Sequence, residues 1–358
     1  MRSSRLVTSG EQAVPAAART LHALLLSWFN HQTTEVDEEH WNSVRHLAQA
    51  SKTLGLIGNG LDPNSAGAHD LRHIKTAILE QNLRNLRWTT KVAGLLQGEG
   101  IAALAFKGVP RSHEVYGSWD SRPSNDVDIL VDPSDYRGAC ATLQQNGYRL
   151  QVSDKSVWWH RCLGEAPFRH EVQHSPYIDL HHQLQQPGGP YPNRLPRFFA
   201  DCRRVAYGKT ELCTPSANGA LLIAVINYGK AMRAGEPTLA RLHEISYATR
   251  SFGDDGVQQL LNLAALQGFE NLAAETLEKA NILFPHTGQI DSDTKQFDAV
   301  LLESLAMTRR PMFLRTRFLW AWTDGRPPLR LIRFCASLLR LLHSGVWRWI
   351  ESKTGRVV

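Results

Sequence analysis

The stretch Gly117-Ser118-Trp119-Asp120-Ser121-Arg122-Pro123-Ser124-Asn125-Asp126-Val127-Asp128-Ile129-Leu130-Val131 decides how the chain is read. From Asp126 carboxylates alternate with aliphatic residues, the pattern of a strand, and residues i and i+2 of a strand share one face. Asp126 and Asp128 therefore stand side by side. Such a pair raises the pKa of each member and costs stability unless a cation lies between them. A hard ion that takes oxygen ligands suits the position, magnesium first and manganese as its substitute. Fifty residues further on, Ile178-Asp179-Leu180 again sets a carboxylate between apolar neighbours, and Asp179 completes the group if its strand lies beside the first. Two metals about 4 Å apart would then clamp the attacking and leaving oxygens of a phosphoryl transfer. Gly117 allows backbone N–H groups to approach a phosphate closely, and the Ser118 hydroxyl adds a donor.

Outward from this segment the period changes. Ala16 to about Gly98 reads as helical, with Leu21, Leu25, Trp28 and Phe29 on one face and a loop at Gly58-Asn59-Gly60 and Asp62-Pro63. Ile101–Phe106 and Asp126–Val131 read as strands, with a helical segment at Pro110–Tyr116 between them and a helix from Asp132-Pro133 to about Asn146 after them. Tyr148–Ser153, Phe168–His174 and Tyr177–Leu184 are further strands; beyond the Pro/Gly-rich loop Pro187–Pro196, helices return from Ser216 to Leu283. The expected fold is α+β: a small mixed-sheet core flanked by N-terminal helices and a C-terminal helical bundle. The expected divisions are an N-terminal helical region 1–98, a core 99–186, a bundle 187–308 and a basic segment 309–358.

Composition sets the bounds. Apolar residues are 42% and charged residues 21% of 358, ordinary for a globular chain. No apolar run is long enough to span a bilayer and Met1–Pro15 lacks a secretory apolar block, so a cytoplasmic location is expected, with peripheral membrane contact as a variant. Five cysteines, Cys140, Cys162, Cys202, Cys213 and Cys335, form no Cys-x-x-Cys pair and read as reduced. His170 and His174 stand too far apart along a strand to share a zinc ion without further ligands. Net charge is +6, yet residues 309–358 carry ten arginines and one lysine against Asp324 and Glu351, a balance of +9 that leaves −3 for the rest. Within that segment, Arg330, Arg333, Ser337, Arg340, Ser344 and Arg348 recur at helical spacing among Leu331, Phe334, Leu338, Leu341, Leu342, Trp347 and Trp349. This predicts one basic stripe on a broad apolar helix. Either the helix packs on the bundle with its arginines in water, the preferred reading, or it lies on an anionic membrane surface. Nucleic acid is a third anionic partner.

Gly-Ser, seven residues, Asp-h-Asp-h and a later h-Asp-h, with h apolar, resembles the polymerase-beta-type nucleotidyltransferase superfamily. The stretch from Leu104 to Leu150, with its Lys-Gly, Tyr-Gly-Ser, Arg before Asp-h-Asp and closing Gly-Tyr, followed by Tyr177-Ile-Asp-Leu-His-His-Gln-Leu184, is similar to the bacterial family described as uncharacterised nucleotidyltransferase. The resemblance implies that Asp126 and Asp128 bind two magnesium ions and that Asp179 holds the one that activates the acceptor hydroxyl. It further implies that Ser118 touches the donor's phosphates while Lys107 and Arg122 neutralise them. His181, two residues after Asp179 on the same strand face, is a candidate contact to the acceptor or a phosphate. Family members often carry a histidine and then an aspartate in the helices after the core; this chain offers Asn227 or Tyr228, and Glu244.

The implied activity is transfer of a nucleoside monophosphate from an NTP, ATP among them, to a hydroxyl of a sugar, glycolipid or modified peptide, with release of pyrophosphate. Three rivals use the same residues. They are glycosyl transfer from a nucleotide sugar, toxin-like nucleotidyl transfer to RNA or protein, and a non-catalytic nucleotide-binding module. Bland readings remain for single residues: Lys107 as a strand-end surface lysine, and Arg122 as a loop cation paired with Asp120.

Overall fold

The computed structural model describes residues 14–208, 210–285, 294–305 and 327–354. The chain is an α+β protein in which helices precede and follow a mixed sheet. The first helices are α1 (Ala16–Phe29), α2 (Glu38–Ala50), the single turn α3 (Leu54–Ile57) and the 31-residue α4 (Ala68–Gly98). Leu21, Leu24, Leu25, Trp28 and Phe29 recur at three- and four-residue spacing on α1 and are all buried. Asp37 starts α2 by accepting the His40 N–H at 2.8 Å, satisfying a donor that the helix itself leaves unpaired.

The sheet holds β1 (Ala103–Ala105), β2 (Asp126–Val131), β3 (Tyr148–Leu150), β4 (Glu165–His170) and β5 (Tyr177–His181) in the order β1-β2-β5-β4-β3. Only β2 and β5 run parallel. Helix α5 (Gly108–Tyr116) joins β1 to β2, and α6 (Tyr136–Gln145) joins β2 to β3. Val127, Ile129, Ile178, Leu180 and Phe168 form the buried apolar filling, packed against Val92, Ala93 and Leu96 of α4 and Ala139 and Leu143 of α6. Since the opposite side of a pleated strand takes the alternate residues, this burial turns Asp126, Asp128 and Asp179 the other way.

Boundaries differ from the expected ones where turns take over. The strand expected at Phe168–His174 begins at Glu165 and stops at His170, because Ser175 folds its hydroxyl back onto the His170 carbonyl and His174 takes a positive φ of 63°. Residues Trp158–Leu163 form a π-helical turn ended by Gly164 at φ 71°. The ribbon β6 (Arg203–Tyr207) and β7 (Thr210–Thr214) falls between the expected loop Pro187–Pro196 and the helices from Ser216, where no element is expected. Its exposed Arg204 and Glu211 mask the alternation, while Leu212 enters the sheet core and Tyr207 packs against it.

After the short α7 (Arg197–Ala200) come α8 (Ala217–Ala234), α9 (Leu239–Thr249), α10 (Gly253–Gln267), α11 (Glu270–Leu283), α12 (Thr294–Leu305) and α13 (Pro327–Lys353). Helices α1 and α2 share one hydrophobic core with α8 to α12, through residues such as Leu25, Phe29, Leu222, Ile245, Leu272 and Leu301. Helices from before and after the sheet thus share one core, which also takes in Leu104, Phe106 and Leu130.

The basic stripe expected on α13 is real, but its arginines do not simply stand in water. Arg340 lies over the Tyr191 ring and Arg348 over the Trp158 ring, while Glu351 is buried and accepts from Ser156, Val157 and Trp158. The remaining arginines of the basic segment between 309 and 326 lie outside the described residues.

Candidate functional site

The cleft lies between the sheet and the bundle, with a volume of about 640 Å³. Its floor is the start of β2 and the β1–α5 turn; its far wall is α8 and α9, which contribute Asn227, Lys230, Arg241 and Glu244. The loop leading into β2 is held by amides of α4. Asn82 donates to the carbonyls of Trp119 and Arg122 at 2.7 and 2.8 Å and accepts from Ser124 N–H at 2.9 Å, and Asn85 donates to the Ser124 carbonyl at 2.6 Å. Both asparagines are buried, so these bonds are shielded from competing water and fix where β2 begins.

At one end of the cleft, the parallel register pairs Asp128 with Asp179. Asp128 Oδ1 receives His181 Nε2 at 2.9 Å and Lys107 Nζ at 3.3 Å. The other ring nitrogen of His181 meets Glu165 Oε2 at 3.1 Å, across the antiparallel pairing of Glu165 with His181. An imidazole that donates from both nitrogens to carboxylates is an imidazolium. Burial and Lys107 work against that charge, but the two carboxylates prevail and raise the His181 pKa. Burial likewise opposes ionisation of Asp128 and Glu165, and Lys107 and His181 overcome it for Asp128, chiefly His181 for Glu165. Asp179 has less help. Burial pushes it up to about 7, with Asp128, Asp126 and Glu165 adding to the rise against His181. Asp126 is raised by burial and by Asp128.

Ligand atoms of Asp128, Asp179 and His181 lie within 4.8 Å of one another, a group that could hold a metal ion. The donor chemistry fits a hard cation: carboxylate oxygens predominate, and two of the carboxylates resist ionising for want of positive charge. Asp128 and Asp179 are the two carboxylates of that group. His181 already bridges Asp128 and Glu165, so it orients the ligand carboxylate while it keeps those bonds.

At the other end, Glu244 of α9 accepts from Arg111 Nε at 3.1 Å and pairs with Arg122. Burial alone would raise its pKa, but Arg122 and Arg111 hold it below the usual carboxylate range. Arg241 pairs with Glu236 at 3.1 Å, as does Lys52 at 3.0 Å. One buried guanidinium nitrogen of Arg111, Nη2, has no hydrogen-bond partner among the described residues.

The residues expected to form the site are only partly gathered. Asp126, Asp128, Lys107 and Arg122 line the cleft, and Asp179 and His181 stand next to Asp128. Arg122 pairs with Glu244, while Asp120 pairs with Lys75 at 3.2 Å. Gly117 and Ser118 are at the far end of α5 and are not among the cleft-lining residues; Gly117 ends the helix at φ 64° and Ser118 donates to Asp120. The turn between β1 and the start of α5 is instead Lys107-Gly108. Gly108 takes φ 65°, and a Cβ there would come within 2.9 Å of Ser124 Oγ. Glu165 and Lys230 escaped the sequence reading. Glu165 could have been found from its register opposite His181, whereas Lys230, pushed down to about 8 by burial first and by Lys107, is brought in by a helix far along the chain.

Paired carboxylates on adjacent parallel strands, at the mouth of a cleft lined with lysine and arginine, are what metal-assisted phosphoryl transfer requires of a protein. Residues 37–285 match the family described as uncharacterised nucleotidyltransferase, and the chain belongs to that family. No curated protein matches the chain.

Proposed function

We propose that the chain is a magnesium-dependent nucleotidyltransferase that moves a nucleoside monophosphate from an NTP to a hydroxyl acceptor. The observation that carries this reading is the register of β2 and β5, which pairs Asp128 with Asp179 beside Asp126 at one end of a cationic cleft. Two magnesium ions, when bound there, would supply the positive charge that the developing phosphorane and leaving oxygen need. Asp126, Asp128 and Asp179 would hold them.

The chain's own groups do the rest. Lys107, now on Asp128, is within reach of a phosphate entering the cleft, and the N–H groups at the start of α5 add donors with the sign a phosphate needs. Arg122 and Arg111 are placed for the far part of an anionic substrate, Arg111 with a free buried donor. The acceptor oxygen bonds to the α-phosphorus as the bond to the β-phosphate oxygen breaks. Pyrophosphate leaves, and an Asp179 carboxylate oxygen takes the hydroxyl proton.

The test is product mass after incubation with each of the four NTPs and magnesium, in the presence of sugar, glycolipid and peptide acceptors. A gain of a nucleoside monophosphate supports the proposal. A gain of a hexose from a nucleotide sugar with none from NTPs would replace it with glycosyl transfer, and neither product at any NTP, with tight NTP binding retained, would leave a binding module.

A further inference from the structure

Helix α13 is built the wrong way round for a helix on the surface of a protein in water. Its inner side carries Ser344 and Glu351, both buried, and Glu351 ties it to the π-helical turn through Ser156, Val157 and Trp158. Arg340 and Arg348 lie along its flanks over Tyr191 and Trp158, at 4.6 and 5.5 Å from the ring centroids. The outer side is apolar. Leu331, Leu338, Leu342, Val346 and Trp349 follow one another at three-, four- and seven-residue spacing and are exposed, with Leu339 at 66% and Trp349 at 64%. At 1.5 Å per residue this stripe runs roughly 27 Å. A water-facing side would carry charges of both signs; here the one acid is turned inward, Arg340 and Arg348 are exposed along the flanks against aromatic rings, and the leucines face outward.

We propose that the outer face of α13 lies in the interface of a membrane rich in anionic lipid. Three observations choose this occupant. The face is a convex ridge, which a fluid layer can envelop without a complementary groove. The helix offers no exposed carboxylate among its described residues: its acid is the buried Glu351, and its other charges are Arg330, Arg333, Arg340, Arg348 and Lys353. The exposed Arg340, Arg348 and Lys353 complement anionic headgroups. A second copy meeting this face ridge to ridge would bring two sets of arginines together with no carboxylate between them. No described helix is long and apolar enough to cross a membrane, so the helix lies along the surface. Its inner side meets loop 187–193, where Gly188 abuts Leu341, two residues beyond Gln186, which lines the cleft. The membrane contact therefore adjoins the cleft without depending on what the cleft does.

The experiment uses the full chain and phosphatidylglycerol vesicles, with phosphatidylcholine vesicles as the neutral arm. Sedimentation should show binding to the anionic vesicles, weakened as salt screens the arginines, and weak binding to the neutral ones. Leu339→Glu with Leu342→Glu should lower partition at least about tenfold, since two buried leucines are replaced by anions in an anionic layer. Should that variant unfold, the native chain still answers. A polarity-sensitive dye on the exposed Cys335, which falls on the same outer face, should shift to the blue with phosphatidylglycerol vesicles, and a Cys335→Ser control should not. Failure of the native chain to bind anionic vesicles, or equal binding by a folded double variant, overturns the proposal. So does a stable dimer that the double variant dissociates, which would assign the face to a second copy.

Discussion

The two ends of the cleft are both buried clusters of charge, yet they are balanced in opposite senses. At the sheet end, Asp126, Asp128, Asp179 and Glu165 face Lys107 and His181, and Asp179 is left pushed up to about 7 by burial and its acidic neighbours. At the helical end, Arg111 and Arg122 converge on Glu244, Arg111 also meets Glu114 at 3.5 Å, and Arg111 Nη2 has no hydrogen-bond partner among the described residues. Carboxylates outnumber cations at one end, and guanidiniums crowd one shared acid at the other. Under the proposed function a metal-bound nucleoside triphosphate would bring cation to the first end and anion to the second, and each end can be tested by removing what it has or supplying what it lacks.

The largest effect belongs to the sheet end. Asp126→Asn or Asp128→Asn should lower turnover by at least about a hundredfold, and far-ultraviolet circular dichroism should stay unchanged for Asp126→Asn, because removing that carboxylate relieves its repulsion with Asp128. Near-native turnover in either would break the comparison at its first term. Next comes Glu244→Ala, which leaves two guanidiniums without their shared anion. A loss of about 3 kcal/mol in urea unfolding is expected. Arg122→Ala should cost clearly less, since Arg122 is 36% exposed and Glu244 keeps Arg111. Equal losses would mean that the two ion pairs are not buried alike.

The sheet end also carries a pH signature. Asp179 has a folded pKa near 7, above its ordinary value of 3.8, so the fold favours its protonated form. The stability this contributes is complete below pH 4 and is lost as pH rises through 7. Asp179→Asn does not titrate. The melting temperature of the native chain, measured against that variant without divalent ions, should therefore decline steadily from pH 5 to pH 8, and magnesium at pH 8 should restore the native chain more than the variant. Parallel curves would show that Asp179 is not crowded by the other carboxylates.

A smaller pair of substitutions locates the phosphate turn. Gly108→Ala puts a Cβ at φ 65° against Ser124, a strain of ~1 kcal/mol or more at the cleft edge, and should lower kcat/KM for the NTP about tenfold. Ser118→Ala removes a hydroxyl already given to Asp120 and should change it less than about twofold. The reverse order would return the phosphate contact to Gly117-Ser118.

Much of the fold was legible because its signals are local. Alternating carboxylate and aliphatic residues declare a strand wherever it lies, so Asp126–Val131 and the strand holding Asp179 could be read directly. The apolar spacing of α1 did the same for the helix. The β6–β7 ribbon was not legible, since Arg203, Arg204 and Glu211 hide its alternation, and the packing of β7 on β1 and α4 that supports it is tertiary. Helix α13 was legible as an amphipathic helix but not as an inverted one: the same spacing of arginine and leucine fits either orientation, and only the anchoring of Glu351 in the π-helical turn decided which side faces out.

The sequence by itself determined the residue types of the metal end, the face on which Asp126 and Asp128 stand, and the family to be expected, because strand period and carboxylate chemistry act over a few residues. The tertiary structure alone decided that β5 lies parallel beside β2 in the register that pairs Asp179 with Asp128, and that Glu165 joins His181 behind them. It alone carried Glu244 and Lys230 across more than a hundred residues to the opposite wall, and put Lys107-Gly108 rather than Gly117-Ser118 at the cleft. Pairing between strands and packing between helices are set by the burial of whole faces against one another, and no short stretch of sequence records which faces will meet.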